Sequence, residues 1–212
     1  MTNATKIGIG LASITAVALL AKGGKVIPRS AASVVAPAIA LYNQFKGIKE
    51  TDPRLEELIY QMFRYVGWSD AKSKEAVRKQ TPWSAVGISY ALKQFPDFPK
   101  SASHSYFIVD ARTNYKSNPP TGNWHLRGIH AYKPQVGDIV CKGRAGRSYT
   151  YQSIKKGDPS HTDLVIGVTN THLVTIGFNV GNGIAITNVP LKNGYINHSN
   201  YFATIQNKHV NP

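Results

Sequence analysis

Apolar positions recur at helical spacing over residues 55–66, where Leu55, Leu58, Ile59, Met62, Phe63 and Val66 fall on one face. Asp52 stands before this run as an N-cap residue, Pro53 takes the first helical position and Gly67 ends it. The spacing predicts an amphipathic helix whose apolar stripe is core. Residues 69–80 are polar and Lys-rich and read as a connection that is partly helical. A further helix begins at Ser84, after Thr81 and Pro82, with Ile88, Leu92 and Phe95 recurring behind it and FPDFP ending it. The stretch SASHSYFIVDARTNY predicts another, capped by Ser101 or Ser103, with His104 in its first turn.

Residues 117–132 are rich in Pro, Gly, Asn and His and read as loop. From Pro134 the period becomes that of strands. A short strand spans 138–141, followed by HTDLVIGVT, THLVTIGFNV and GIAITNVPL, and a last strand lies near 201–206. Asn170, Gly181, Gly183 and the pair Asn193-Gly194 supply the turns. Helices first and an antiparallel meander second give an α+β fold, with N-terminal helices packed on a curved antiparallel sheet.

The chain opens differently. Residues 7–21 form an uncharged apolar run of 15, flanked by Lys6, Lys22 and Lys25. That is shorter than the ~20 residues of a membrane-spanning helix. It fits a signal-peptide core or signal-anchor, or an apolar segment held against a membrane or a partner protein. Residues 26–49 are small-residue rich, interrupted by Pro28 and Pro37, and read as a linker or a second weak apolar segment. The domain boundary is placed near Glu50, so that 1–50 is an N-terminal segment and 51–212 the folded domain.

Composition is that of a globular chain, 42% hydrophobic and 17% charged. Lys and Arg number 25 against 11 Asp and Glu, a formal charge of +14. That excess favours polyanionic partners such as nucleic acid, acidic lipid or an anionic cell wall. There is no cysteine–histidine finger and no aromatic RNP-like strand, so specific nucleic-acid recognition is not expected. The single cysteine, Cys141, excludes an intrachain disulfide.

Nucleophilic chemistry needs a nucleophile, a base within hydrogen-bond reach and a group that orients the base. Ser84 stands where a helix starts, facing unpaired N–H groups and the positive end of the helix dipole. It is either a plain N-cap or a nucleophile. His161 opens a strand, and Asn179 lies as far after Asn170 as His161 lies before it, so the two face each other across the hairpin. Asp163 shares the face of His161 and can orient a base or bind substrate. Cys141 ends the neighbouring strand and is a second candidate nucleophile, or a small buried hydrophobe. The spacing of His104, Asp110 and His161 does not suit a metal-dependent peptidase, and neither metal nor other cofactor is expected.

The motifs WSAVGIS (83–89), SASHS (101–105), PQVGDIVCKGR (134–144), HTDLV (161–165) and IGFNV (176–180) occur in an order and spacing that resembles the NlpC and CHAP papain-like cell-wall hydrolases, most closely the DUF2272 branch. The resemblance spans roughly residues 64–206 and leaves out the N-terminal 50. It implies a papain-like fold in which Ser84 holds the position of the superfamily's cysteine nucleophile. His161 would be the base, and Asn179 or Asp163 its orienter. Trp83, His104 and Arg144, carried in the same motifs, are expected to bind substrate. Serine for cysteine demands stronger base assistance and an oxyanion hole. The implied activity is cleavage of an amide bond in the peptide of peptidoglycan, as an amidase or endopeptidase of phage or bacterial-attack origin. The competing expectation is an inactive wall-binding or structural module of a virion or secretion apparatus, with other virion proteins as partners. Either role implies an extracytoplasmic, periplasmic or virion-associated location.

Overall fold

The computed structural model describes residues 29–212. The apolar run at 7–21 lies outside the described residues. Among them no helix is long and apolar enough to cross a membrane.

Five helices and seven strands are present among the described residues. Helix α1 (Arg29–Phe45) falls where the sequence suggests a linker. Pro37 lies inside it and cannot donate to the Ser33 carbonyl one turn back. That carbonyl accepts instead from Gln94 Nε2 at 3.3 Å. Val34, Val35, Ala38 and Ile39 are buried in the same core as the later helices, so helix burial outweighs the proline. The fold thus reaches N-terminally past the boundary expected near Glu50.

Helix α2 (Pro53–Tyr65) forms as its spacing predicts: Asp52 caps Arg54 N at 2.9 Å, and Leu55, Leu58, Ile59, Met62 and Phe63 are buried. Helix α3 (Asp70–Arg78) is capped by Ser69. Helix α4 (Ser84–Ala91) is buried almost all round, and α5 (His104–Lys116) starts after Ser103.

The strands are β1 (Trp124–Gly128), β2 (Ile139–Gly143), β3 (Ser160–Val168), β4 (His172–Val180), β5 (Gly183–Lys192), β6 (Tyr195–Ile196) and β7 (Tyr201–Asn207). They form one curled antiparallel half-barrel in the order β1-β7-β2-β3-β4-β5-β6. The expected meander holds from β2 to β5. The last strand, however, returns to lie between β2 and β1, and β1 itself falls in a stretch that reads as loop. Trp124 and Leu126 are fully buried there, and among the described residues the strand pairs only with β7, Trp124 opposite Asn207. Alternation gives the sheet two faces. Ile139, Cys141, Leu164, Ile176, Ala203 and Ile205 join the helical core, while Val140, Val165, Leu173, Val189 and Tyr201 form a smaller cluster behind.

The turn PQVGD ties β2 to both neighbours. The buried Asp138 carboxylate accepts from four donors, Asn207 N, Asn211 Nδ2, Gln135 N and the Tyr132 hydroxyl, at 2.8–2.9 Å. Burial pushes its pKa up to about 6 against the pull of those donors. Replacing Asp138 with alanine leaves these donors unmet in the interior and should cost ~3 kcal/mol or more. Urea unfolding of wild type and Asp138→Ala measures it as a lower midpoint at unchanged slope.

Candidate active site

Helix α4 brings Ser84 to the site. Trp83 is its N-cap residue and makes no side-chain capping bond, so Ser84 is the first helical residue and its hydroxyl is not spent on capping. The Ser84 Oγ lies 2.7 Å from His104 Nε2. His104 opens α5, and its other ring nitrogen, Nδ1, lies 2.9 Å from Thr162 Oγ1 on β3. Serine, imidazole and threonine hydroxyl therefore form one continuous chain. A neutral imidazole has one N–H and one lone pair. With Nδ1–H donating to Thr162, Nε2 is left to accept from the Ser84 hydroxyl.

A second chain lies beside the first. His161 Nε2 donates to Asp163 Oδ1 at 2.8 Å, and Lys142 Nζ reaches Asp163 Oδ2 at 2.8 Å. The rings of His104 and His161 have centroids 5.1 Å apart. Residues 161 and 163 point to one side of β3 and Thr162 to the other, so a single H-T-D triplet serves both chains. Gly177 makes room for the carboxylate, since a methyl group there would run into Asp163 Oδ1.

The two chains differ in charge. Burial drives the His104 pKa well below its usual value, helped by the positive charges of His161, Arg144 and Lys142 and opposed by Asp163. His104 is neutral at pH 7. Burial would raise the Asp163 carboxyl, but the hydrogen bond and charge of His161, with Lys142, hold it down to about 2. Asp163 is ionised.

The expected site residues sort clearly. Ser84, His104 and Arg144 line one cleft of about 300 Å3, with Pro82, Ala85 and Ser103 from the helix starts and the loop Gly157–Ser160 opposite. Arg144 is exposed at its edge, held there by a tight turn. Arg147 N donates to Arg144 O at 3.1 Å, and the Arg147 carbonyl lies against Gly143 where a side chain would collide. His104, expected to touch substrate, is instead the partner of Ser84, and His161 donates to Asp163 rather than to Asn179. The β3–β4 ladder shifts register between Val165 and Gly167 and ends at Leu164 opposite Ile176, short of His161 and Asn179. A second bulge follows on β4: Asn179 has φ +54° where pairing with β5 shifts.

Two expectations are corrected by burial. Trp83 is 1% exposed, packs edge-on against Phe178 and donates its indole N–H to Glu50, so it does not face substrate. Cys141 is fully buried opposite Thr162, its thiol directed at the Ile139 carbonyl, and burial raises its pKa well above the usual range. A thiol so protonated is a core group, not a nucleophile. Thr162 and Lys142 are the contributors the sequence does not announce. Strand alternation in H-T-D was the available signal for Thr162.

The chain matches, over residues 64–209, the family described as uncharacterized proteins conserved in bacteria, DUF2272. It belongs to this family. No curated protein and no solved structure matches it. The DUF2272 region begins inside α2, so α1 and the segment leading to Asp52 lie outside it. Within it fall Ser84, His104, Thr162, His161, Asp163 and Lys142.

The depressed Asp163 pKa carries a pH dependence. Its folded value of about 2 lies below the unfolded ~3.9, so the stabilisation is complete above pH 4 and is lost as pH falls toward 2. The difference amounts to ~2–3 kcal/mol. Denaturant midpoints of wild type should therefore fall more steeply between pH 4 and 2 than those of Asp163→Asn.

Proposed function

We propose that the chain is a serine-dependent hydrolase of peptide amide bonds in peptidoglycan, an amidase or endopeptidase, with Ser84 as nucleophile and His104 as general base. The observation that carries this is the 2.7 Å contact between Ser84 Oγ and His104 Nε2 at the floor of a cleft. In the first step the Ser84 oxygen attacks the amide carbonyl carbon and its proton passes to His104 Nε2. The C–N bond then breaks, the departing amine takes that proton, and water repeats the sequence on the acyl-serine. Thr162 fixes the ring and its tautomer. The first-turn amides of α4, without partners inside the helix, are the donors we assign to the developing oxyanion. The His161 ring packs beside His104, and Asp163 supplies a negative charge near His104 as it becomes imidazolium, against the opposing charges of His161, Arg144 and Lys142.

The wall as substrate is supported by the resemblance to NlpC and CHAP hydrolases and by the charge of +14, which suits an anionic polymer. A helix-start nucleophile position packed on an antiparallel sheet supports the papain-like comparison, although the histidine that meets Ser84 opens helix α5 and not a strand. The same features favour an extracytoplasmic or virion-associated setting. A second reading has its own observation: Ser84 is only 2% exposed and His104 4%. A pair so enclosed suits a binding module that keeps the fold without turnover.

Purified Gram-negative sacculi distinguish the two. Wild type should release muropeptides and be labelled by a fluorophosphonate, and Ser84→Ala should lose both by ~10³-fold or more. His104→Gln should lose ~10²–10⁴-fold, and Cys141→Ala little activity. Because His104 must be neutral and its pKa is depressed, activity should persist as pH falls below 6.5. Binding to sacculi with neither release nor labelling at any pH would leave the binding module as the function.

A further inference from the structure

The DUF2272 match leaves out residues that the nucleophile rests on. Glu50 is 8% exposed, and its Oε2 accepts from Trp83 Nε1 at 2.8 Å. Trp83 immediately precedes Ser84, so whatever holds the indole holds the backbone that carries the hydroxyl. Glu50 is itself fixed by the turn between β4 and β5. Glu50 N donates to Asn182 O at 2.8 Å, and Lys49 Nζ reaches Gly181 O at 2.7 Å. The Ile48 carbonyl lies so close to Gly183 that a side chain there would meet it at 2.8 Å. One turn further on, α4 is seated by Phe178, which fills the space a Cβ on Gly87 would need. Trp83 packs edge-on against that same Phe178, with ring centroids 6.3 Å apart.

We infer that Glu50 is a positioning residue for Ser84, acting through Trp83, and that residues 48–50 are a working part of the site although they precede the family domain. The inference rests on the serine-hydrolase reading. The Ser84–His104 contact is a single hydrogen bond between two helix starts, and Trp83 is the residue through which α4 is aligned against the β4–β5 turn. Releasing the indole frees the first turn of α4 to shift, and a shift of an ångström at a nucleophile costs roughly 100-fold in rate. Substrate contacts at Arg144 and the Gly157–Ser160 loop are untouched by such a shift. The loss therefore falls on kcat and not on KM.

The test uses the full chain and three readouts: the rate of fluorophosphonate modification of Ser84, the kcat and KM of muropeptide release, and the 15N chemical shifts of the His104 ring. Glu50→Leu should slow modification by about 10- to 100-fold at unchanged KM and move the His104 Nε2 signal. Glu50→Gln keeps an acceptor for the indole N–H and should restore the rate to within about threefold of wild type. If Glu50→Leu does not fold, Trp83→Phe removes the same hydrogen bond and should show the same slowing. A wild-type rate and unmoved His104 signals in Glu50→Leu would overturn the inference. So would equal losses in Glu50→Leu and Glu50→Gln. If wild type itself is unreactive while the His104 signals still respond to Glu50→Leu and not to Glu50→Gln, the hydrolase reading fails and the positioning stands.

Discussion

The Asp138 carboxylate decides where β2 begins relative to both of its neighbours. Its side chain takes the Asn207 N–H of β7, while its backbone carbonyl takes the Val165 N–H of β3 at 2.8 Å. One residue thus sets two registers. The consequence appears three and four residues on, where Cys141 opposes Thr162 and Lys142 opposes His161. Side chains on a strand alternate with period two, so a slip of one residue would exchange the faces. Thr162 would leave His104, and His161 would enter the helical core. The geometry at Ser84 therefore depends on a carboxylate in a turn that does not touch the site.

The site separates its charges across a strand. On the helix side, burial keeps His104 neutral, the state in which it can accept a proton. On the other, Asp163 stays ionised in equal burial because Lys142 and His161 both bond to it. An isolated buried carboxylate would cost several kcal/mol, and breaking one of its partners would restore much of that cost. The cluster is thus more than an ion pair of convenience. It holds a fixed negative charge within range of His104 without a direct hydrogen bond, which would otherwise compete with Thr162 for the ring.

Much of this was legible in the chain. The helix at 53–65 follows from its cap, its proline and its stripe, because local chemistry and burial agree there. The helix starts at Ser84 and His104 and the four strands β2–β5 follow from period and turn residues. Three features were hidden, each for a physical reason. Helix α1 carries a proline whose cost is offset only by tertiary burial and by Gln94, 57 residues further along the chain. Strand β1 exists because β7 pairs with it, a non-local fact that a loop-like composition conceals. The partner of Ser84 is His104 and not His161, because the choice depends on how two helix starts meet over β3. A count that sets Asn179 opposite His161 cannot show bulges, one between Val165 and Gly167 and one that turns Asn179 into the left-handed region.

A serine nucleophile sharpens what the surroundings must do in the proposed reaction. A depressed histidine pKa adds little to the neutral fraction at pH 7, since an unperturbed imidazole is already roughly three-quarters neutral there. It also makes a weaker base for a hydroxyl that is hard to deprotonate. Burial alone would therefore hinder attack. Asp163 works against this by raising the His104 pKa, but the charge of His161 lowers it by more, and Arg144 and Lys142 lower it further. The pull of Asp163 matters most when the ring has taken the serine proton, so it favours the transition state over the resting pair. Lys142 keeps Asp163 ionised, and the balance of Asp163 against His161, Arg144 and Lys142 sets how basic His104 can become. By that logic the second histidine chain belongs to the machinery of the first, and the motif HTD is best read as one electrostatic unit spanning both faces of β3.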